Sequence, residues 1–206
     1  MEEKTIKKGS NKGKKFERNF KASAVNQEVL IVRLNDTDLS FMKSSKYIGS
    51  RFTAENPCDF IVYDYPNIFF LELKSTEYNA ISIQRLPTDP KDKMIKAHQI
   101  NSLVQLSQAY GAISGFVFNF RKKEDLDEDT YFMFIDDFSD FLVKTDKKSI
   151  NKLDVVQYGG IKLDQKLKRT QYDYNIKKMV EDVKKEYDKR NENDAPTMLK
   201  QRGFQP

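Results

Sequence analysis

Apolar and polar positions along this chain group into short strands and amphipathic helices that alternate through most of its length. Val29 to Leu34 is an apolar run of strand length. Asp59 to Asp64 and Ile68 to Lys74 are two strands rich in β-branched and aromatic residues, joined by a turn at Tyr65, Pro66 and Asn67. Ala112 to Phe120 and Thr130 to Ile135 read as further strands, with an acidic turn from Lys123 to Asp129 between them. A helix is expected from Gly13 to about Gln27, with Phe16 and Phe20 one turn apart. Met94 to Ala109 has the stripe Ile100, Leu103, Val104 and Leu106, and Tyr174 to Arg190 has Ile176, Met179, Val180, Val183 and Tyr187. Asp136 to Val143 predicts a short helix whose first-turn acids suit the helix dipole. Ser75 to Lys93, with Pro87 and Pro90, reads as a loop. The fold class is α/β, with no internal repeat and no glycine-rich phosphate loop.

The same pattern divides the chain. Residues 1–12 are polar and lysine-rich and are expected to form a disordered basic tail; 191–206 are expected to be frayed. One domain fills 13–190. Within it, residues 35–56 break the rhythm, and so long an insert is uncommon in a compact domain unless it is functional. Lys43, Lys46 and Arg51 alternate there with Phe41, Met42, Tyr47 and Phe52, a composition able to touch phosphates and stack on bases. An ordinary hairpin with inward-facing aromatics is the alternative.

Composition narrows the class. At 206 residues and 24.1 kDa, one domain buries about 70% of its unfolded surface. One Cys and one His exclude a disulfide framework, a zinc ribbon and any nuclease built on paired histidines. No apolar run approaches the roughly 20 residues of a membrane span, and the basic N-terminus lacks a signal-peptide core, so a cytoplasmic protein is expected. The net charge of +5 is unevenly spread. Eight basic residues against three acids within the first 23 suggest phosphate contacts, or simply a solubilising tail.

The candidate chemistry lies in Asp59, Glu72 and Lys74. Strand side chains alternate, so Glu72 and Lys74 share one face, and antiparallel pairing brings Asp59 opposite the end carrying Glu72. Two carboxylates with a backbone carbonyl and waters suit Mg²⁺ or Mn²⁺. Such an ion polarises a phosphoryl oxygen and acidifies a bound water, and a neighbouring lysine offsets the charge that builds on phosphorus. The alternative is a surface hairpin whose charges face solvent. The apolar run Ile68-Phe69-Phe70-Leu71 argues for a central strand, where polar interruptions need a partner or a role.

The Gly13–Glu17 segment, the Asp59…Glu72-Leu73-Lys74 core and Ala97-His98-Gln99-Ile100 are followed by Tyr131-Phe132-Met133-Phe134-Ile135 and Lys148-Ser149-Ile150. This succession resembles the RecU Holliday junction resolvases of the PD-(D/E)xK nuclease superfamily, with a phage-encoded member the expected source. The resemblance covers roughly residues 11–190, motif by motif. It implies a restriction-endonuclease-like core, a central mixed sheet flanked by helices, with 35–56 as a protruding stalk. It also implies a homodimer that cuts four-way DNA junctions by paired symmetric incisions, using Mg²⁺.

Carried over by position, Asp59 and Glu72 hold the metal with the Leu73 carbonyl, and Lys74 is the catalytic lysine. Glu17, from the first helix, and Gln99, from the helix after the core, reach the site. Lys43, Lys46 and Arg51 of the stalk and Lys14, Lys15 and Arg18 of the first helix are the DNA-binding candidates. Pro57 stands where family members often carry a hydroxyl residue. The acidic 124–140 region is expected away from DNA, and His98 reads as an ordinary hydrogen-bonded helix residue. A related nuclease acting on linear duplex, or a non-catalytic DNA-binding protein, are the alternatives.

Overall fold

The computed structural model describes residues 11–34, 56–121, 128–169 and 171–201. In chain order the elements are α1 (Asn11–Ala24), β1 (Leu30–Arg33), β2 (Phe60–Asp64), β3 (Asn67–Thr76), β4 (Ala80–Ser82), α2 (Ala97–Tyr110) and β5 (Ile113–Arg121). They continue with β6 (Glu128–Phe134), α3 (Ile135–Lys144), β7 (Ser149–Asn151), α4 (Lys152–Gln157), β8 (Ile161–Lys162), β9 (Gln165–Lys168), β10 (Gln171–Tyr174) and α5 (Ile176–Gln201).

A mixed sheet of six strands in the order β1-β2-β3-β5-β6-β8 forms the centre. Only the β3–β5 pair is parallel; the others are antiparallel. A parallel pair needs a crossover, and α2 supplies it. Strand β2 turns into β3 through Tyr65 and a cis Pro66, with Asp64 opposite Asn67. β5 is buried along almost its whole length and has helices over both faces, so it reads as continuous apolar sequence rather than as alternation. This is the helix-flanked mixed sheet that the resemblance implies.

Each face of the sheet has its own core. On one, Phe16 and Phe20 of α1 and Met179, Val180 and Val183 of α5 pack on Phe60, Val62, Leu71, Leu73 and Val117. On the other, Ile100 and Leu103 of α2 and Phe138 and Phe141 of α3 pack on Phe116, Phe118 and Met133. Helix α1 is fixed in place by Ser23 and Gln27. Tyr174 N donates to Ser23 Oγ at 2.9 Å, and Gln27 Nε2 donates to the Tyr174 carbonyl at 2.7 Å.

Several segments differ from expectation. The stretch from Ser75 to Lys93 is not wholly loop: β3 runs on to Thr76, and β4 pairs with β7, burying Ile81 and Ile83 completely or nearly so. A three-residue strand whose partner lies far along the chain leaves little periodic signal. Ile95 bridges to Ile83, so α2 starts at Ala97 rather than Met94. Helix α5 continues to Gln201, past the fraying expected at 191. Helix α4 and strands β8 to β10 are additions. The proposed stalk, with Lys43, Lys46 and Arg51, and most of the acidic turn lie outside the described residues. No helix among the described residues is long and apolar enough to cross a membrane.

Candidate active site

The β2–β3 ladder continues one residue beyond β2. Asp59 N donates to the Leu71 carbonyl at 3.1 Å, and Leu34 N donates to the Asp59 carbonyl at 2.8 Å. This holds Asp59 just before β2, between its two neighbouring strands, where its Oδ2 accepts the Leu73 N–H at 2.8 Å. Leu73 turns inward to the α1 core, so Glu72 and Lys74 on either side of it face α2. The expected convergence of Asp59, Glu72 and Lys74 is therefore present, and backbone geometry alone produces most of it.

Glu72 is 3% exposed. Its Oε1 takes the Lys74 ammonium at 2.8 Å and the Gln99 amide at 2.5 Å. Gln99 Oε1 in turn accepts the Lys96 backbone N–H at 2.9 Å, which fixes the amide so that its NH₂ group points at Glu72. Gln99 thus stands where it was expected, and its job in this arrangement is to hold Glu72.

Burial pushes Asp59 up from 3.8 to about 7, with Glu72 beside it adding to the rise and the Leu73 N–H opposing it. Burial raises Glu72 as well, against the pull of Lys74. Two carboxylates that resist ionisation side by side make a place where a cation is favourable. Each engages the protein through one oxygen, Oδ2 of Asp59 and Oε1 of Glu72. Among the described residues the other oxygen of each accepts no hydrogen bond. That donor set fits a hard divalent ion completed by waters and a carbonyl such as that of Leu73. Among the described residues no group of three or more His, Cys, Asp or Glu side chains is placed to hold a metal.

Glu17 lies close enough to raise both carboxylates electrostatically, but its own carboxylate is engaged by Arg33. Arg33 NH2 and Nε donate to Glu17 Oε2 at 2.5 and 3.1 Å. Sequence reasoning missed Arg33; the signal was a charged residue closing an otherwise apolar strand. Lys14, Arg18, Lys21 and Arg33 surround Glu17 in a cavity of about 370 Å³. Lys15 points elsewhere, lining a small cavity with Arg121 and Glu128. His98 is near enough to act on Glu72 and is exposed.

No protein-family profile matches the chain. The SPbeta prophage-derived uncharacterized protein YotM of Bacillus subtilis (strain 168) is 30% identical to it over 189 residues, 86% of this chain and 89% of YotM. Among solved structures, the Holliday junction resolvase Hjc of Archaeoglobus fulgidus aligns with 73% of this chain and 95% of its own. The TM-score is 0.44 at 14% identity.

Proposed function

As a member of one family with the SPbeta prophage-derived protein YotM, this chain is, we propose, a metal-dependent endodeoxyribonuclease whose preferred substrate is the four-way DNA junction. The observation that carries the nuclease reading is the convergence of Asp59, Glu72 and Lys74 at neighbouring positions beside and on β3, with Gln99 bracing Glu72. The junction preference, the homodimer and Mg²⁺ as the ion rest on the sequence resemblance to RecU resolvases. The prophage origin of the relative supports a phage-borne gene.

Asp59 and Glu72 would hold the ion. When bound, Mg²⁺ polarises a phosphoryl oxygen and makes a water a better nucleophile. The residues do the rest. Lys74, already tethered at the strand end by Glu72, presents an ammonium to a non-bridging phosphate oxygen and offsets negative charge as water adds to phosphorus. Gln99 keeps Glu72 in one rotamer, so the carboxylate is oriented before substrate arrives. Burial of Glu72 keeps bulk water from competing with these contacts. Paired incisions follow if two copies present two sites to a two-fold junction.

The test is cleavage of synthetic four-way and linear DNA, with Mg²⁺ and with chelator. Junction cutting is expected only with the ion, and Asp59→Asn or Glu72→Gln should abolish turnover while preserving junction binding. Undiminished cutting by Asp59→Asn would remove the mechanism. Equal affinity for junction and duplex would remove the junction preference and leave a duplex nuclease.

A further inference from the structure

We infer that the groove between residues 84–96 and the first turn of α2 binds the DNA backbone beside the scissile phosphate, through Lys91, Lys96 and His98. The inference rests on the proposed nuclease reading and adds to it a second contact surface, on the face of the sheet opposite α1. The groove has a volume of about 460 Å³ and is lined by those three residues with Gln84 and Asn101 among others. A small-molecule pocket is mostly apolar. These walls instead offer ammonium, imidazole and amide groups, the set that phosphate oxygens accept from.

The loop that forms the groove is well braced. Gln84, 6% exposed, donates to the Asp89 carbonyl at 3.0 Å and accepts the Ala97 N–H at 3.2 Å. Arg85 donates to the Thr145 and Lys147 carbonyls at 2.7 and 2.9 Å, tying the loop to the end of α3. Neither nearby acid pairs with a lysine of the lining. Asp89 Oδ2 is used by the backbone N–H groups of Arg85 and Leu86, and Asp92 stands beside Lys93. Lys96 Nζ donates to the Lys91 carbonyl, and among the described residues the Lys91 ammonium has no ion-pair partner.

Position relative to the chemistry gives the groove its role. His98 and Asn101 line it, while Gln99, on the same turn of helix, holds Glu72. Glu72 feels Glu17 from the α1 side and His98 from this side. A strand lying across Asp59 and Glu72 therefore passes from the Lys14–Arg18–Lys21–Arg33 cavity to this groove, with the cut between them. Contacts on both sides fix which phosphate sits at the metal pair.

The experiment measures junction binding in an Asp59→Asn background, so that no cutting intervenes, over a series of salt concentrations. Lys91→Ala/Lys96→Ala is expected to weaken binding and to make the log–log salt dependence shallower by about two. Lys91→Ala alone, at an exposed position that does not threaten folding, should change it by about one. In the active protein the double variant should raise KM by a larger factor than it lowers kcat. Unchanged affinity and slope would overturn the inference, as would an equal loss in the control Lys144→Ala/Lys178→Ala, which removes the same charge from ion-paired positions on α3 and α5. A failure of the Asp59→Asn parent to bind DNA at all would be a different result, overturning the nuclease reading itself and this inference with it.

Discussion

Leu73 donates its backbone N–H to Asp59 from between the two residues that face α2, and this contact sets the acid pair before any ligand is present. Its consequence can be read in stability. Asp59 is pushed from 3.8 to about 7 in the folded chain, so between these values the native state binds more protons than the unfolded state. Stability from this group is therefore present at low pH and lost as pH rises through about 7. Without metal, Asp59→Asn should melt higher than the parent at pH 8, by on the order of 2 kcal/mol or about 5 °C, with the gap shrinking towards pH 5. If the proposed site holds Mg²⁺, saturating ion should stabilise the parent at pH 8 and narrow that gap, because it would bind the ionised carboxylates. Thermal melts of both proteins at the two pH values, with and without the ion, provide the check; a gap independent of pH would show that Asp59 is not strained. Cys58, next to Asp59, has its thiol pushed up to about 12, first by burial and then by Glu72 and Asp59. It should resist a thiol reagent at pH 8 in the native protein and react fully in denaturant.

At the scale of elements, the parallel β3–β5 pair does the positioning. It places Glu72 beside Phe116 and Lys74 beside Phe118, so the charged face of β3 is walled by aromatic rings of the α2–α3 core. On its other side β5 pairs with β6, and that pairing depends on a close approach at Gly115. A Cβ there would meet the Met133 carbonyl of β6 and come within 2.9 Å of the Phe132 ring. Gly115→Ala should therefore cost about 3 kcal/mol, seen as a lower urea midpoint, and should lower cleavage with it. A variant as stable as the parent would mean that β6 yields easily. The hairpin and both acids were legible in the sequence, because alternation and turn residues are local. The β4–β7 pair was not: its three-residue strands acquire their meaning only from a partner more than sixty positions away.

For the whole molecule, the proposed reaction calls for two sites acting on one two-fold substrate. The protein should run as a species of twice the 24.1 kDa chain mass in light scattering, and both incisions in a junction should occur within the lifetime of one complex. A stable monomer that nicks one strand per encounter would remove the paired-cut mechanism. Charge also acts at this scale. Phosphate contacts dominate such interfaces, so junction affinity should fall steeply as salt rises. Here the sequence pointed to the basic N-terminal region, and the fold divides that region: Lys14 and Arg18 gather with Lys21 and Arg33 around Glu17, while Lys15 lies in another cavity on the far side of the helix.

The linear order of residues was enough to decide the hairpin, the shared face of Glu72 and Lys74, and the nearness of Asp59, because each follows from strand alternation and a tight turn within sixteen residues. It was also enough to decide the α/β class. Tertiary packing decided what no local pattern encodes. Only the docking of α1 brings Arg33 onto Glu17, and only the placement of α2 turns Gln99 onto Glu72 and opens a cationic groove beside it. Those contacts join residues from separate elements, and their geometry comes from how two cores fill the two faces of one sheet.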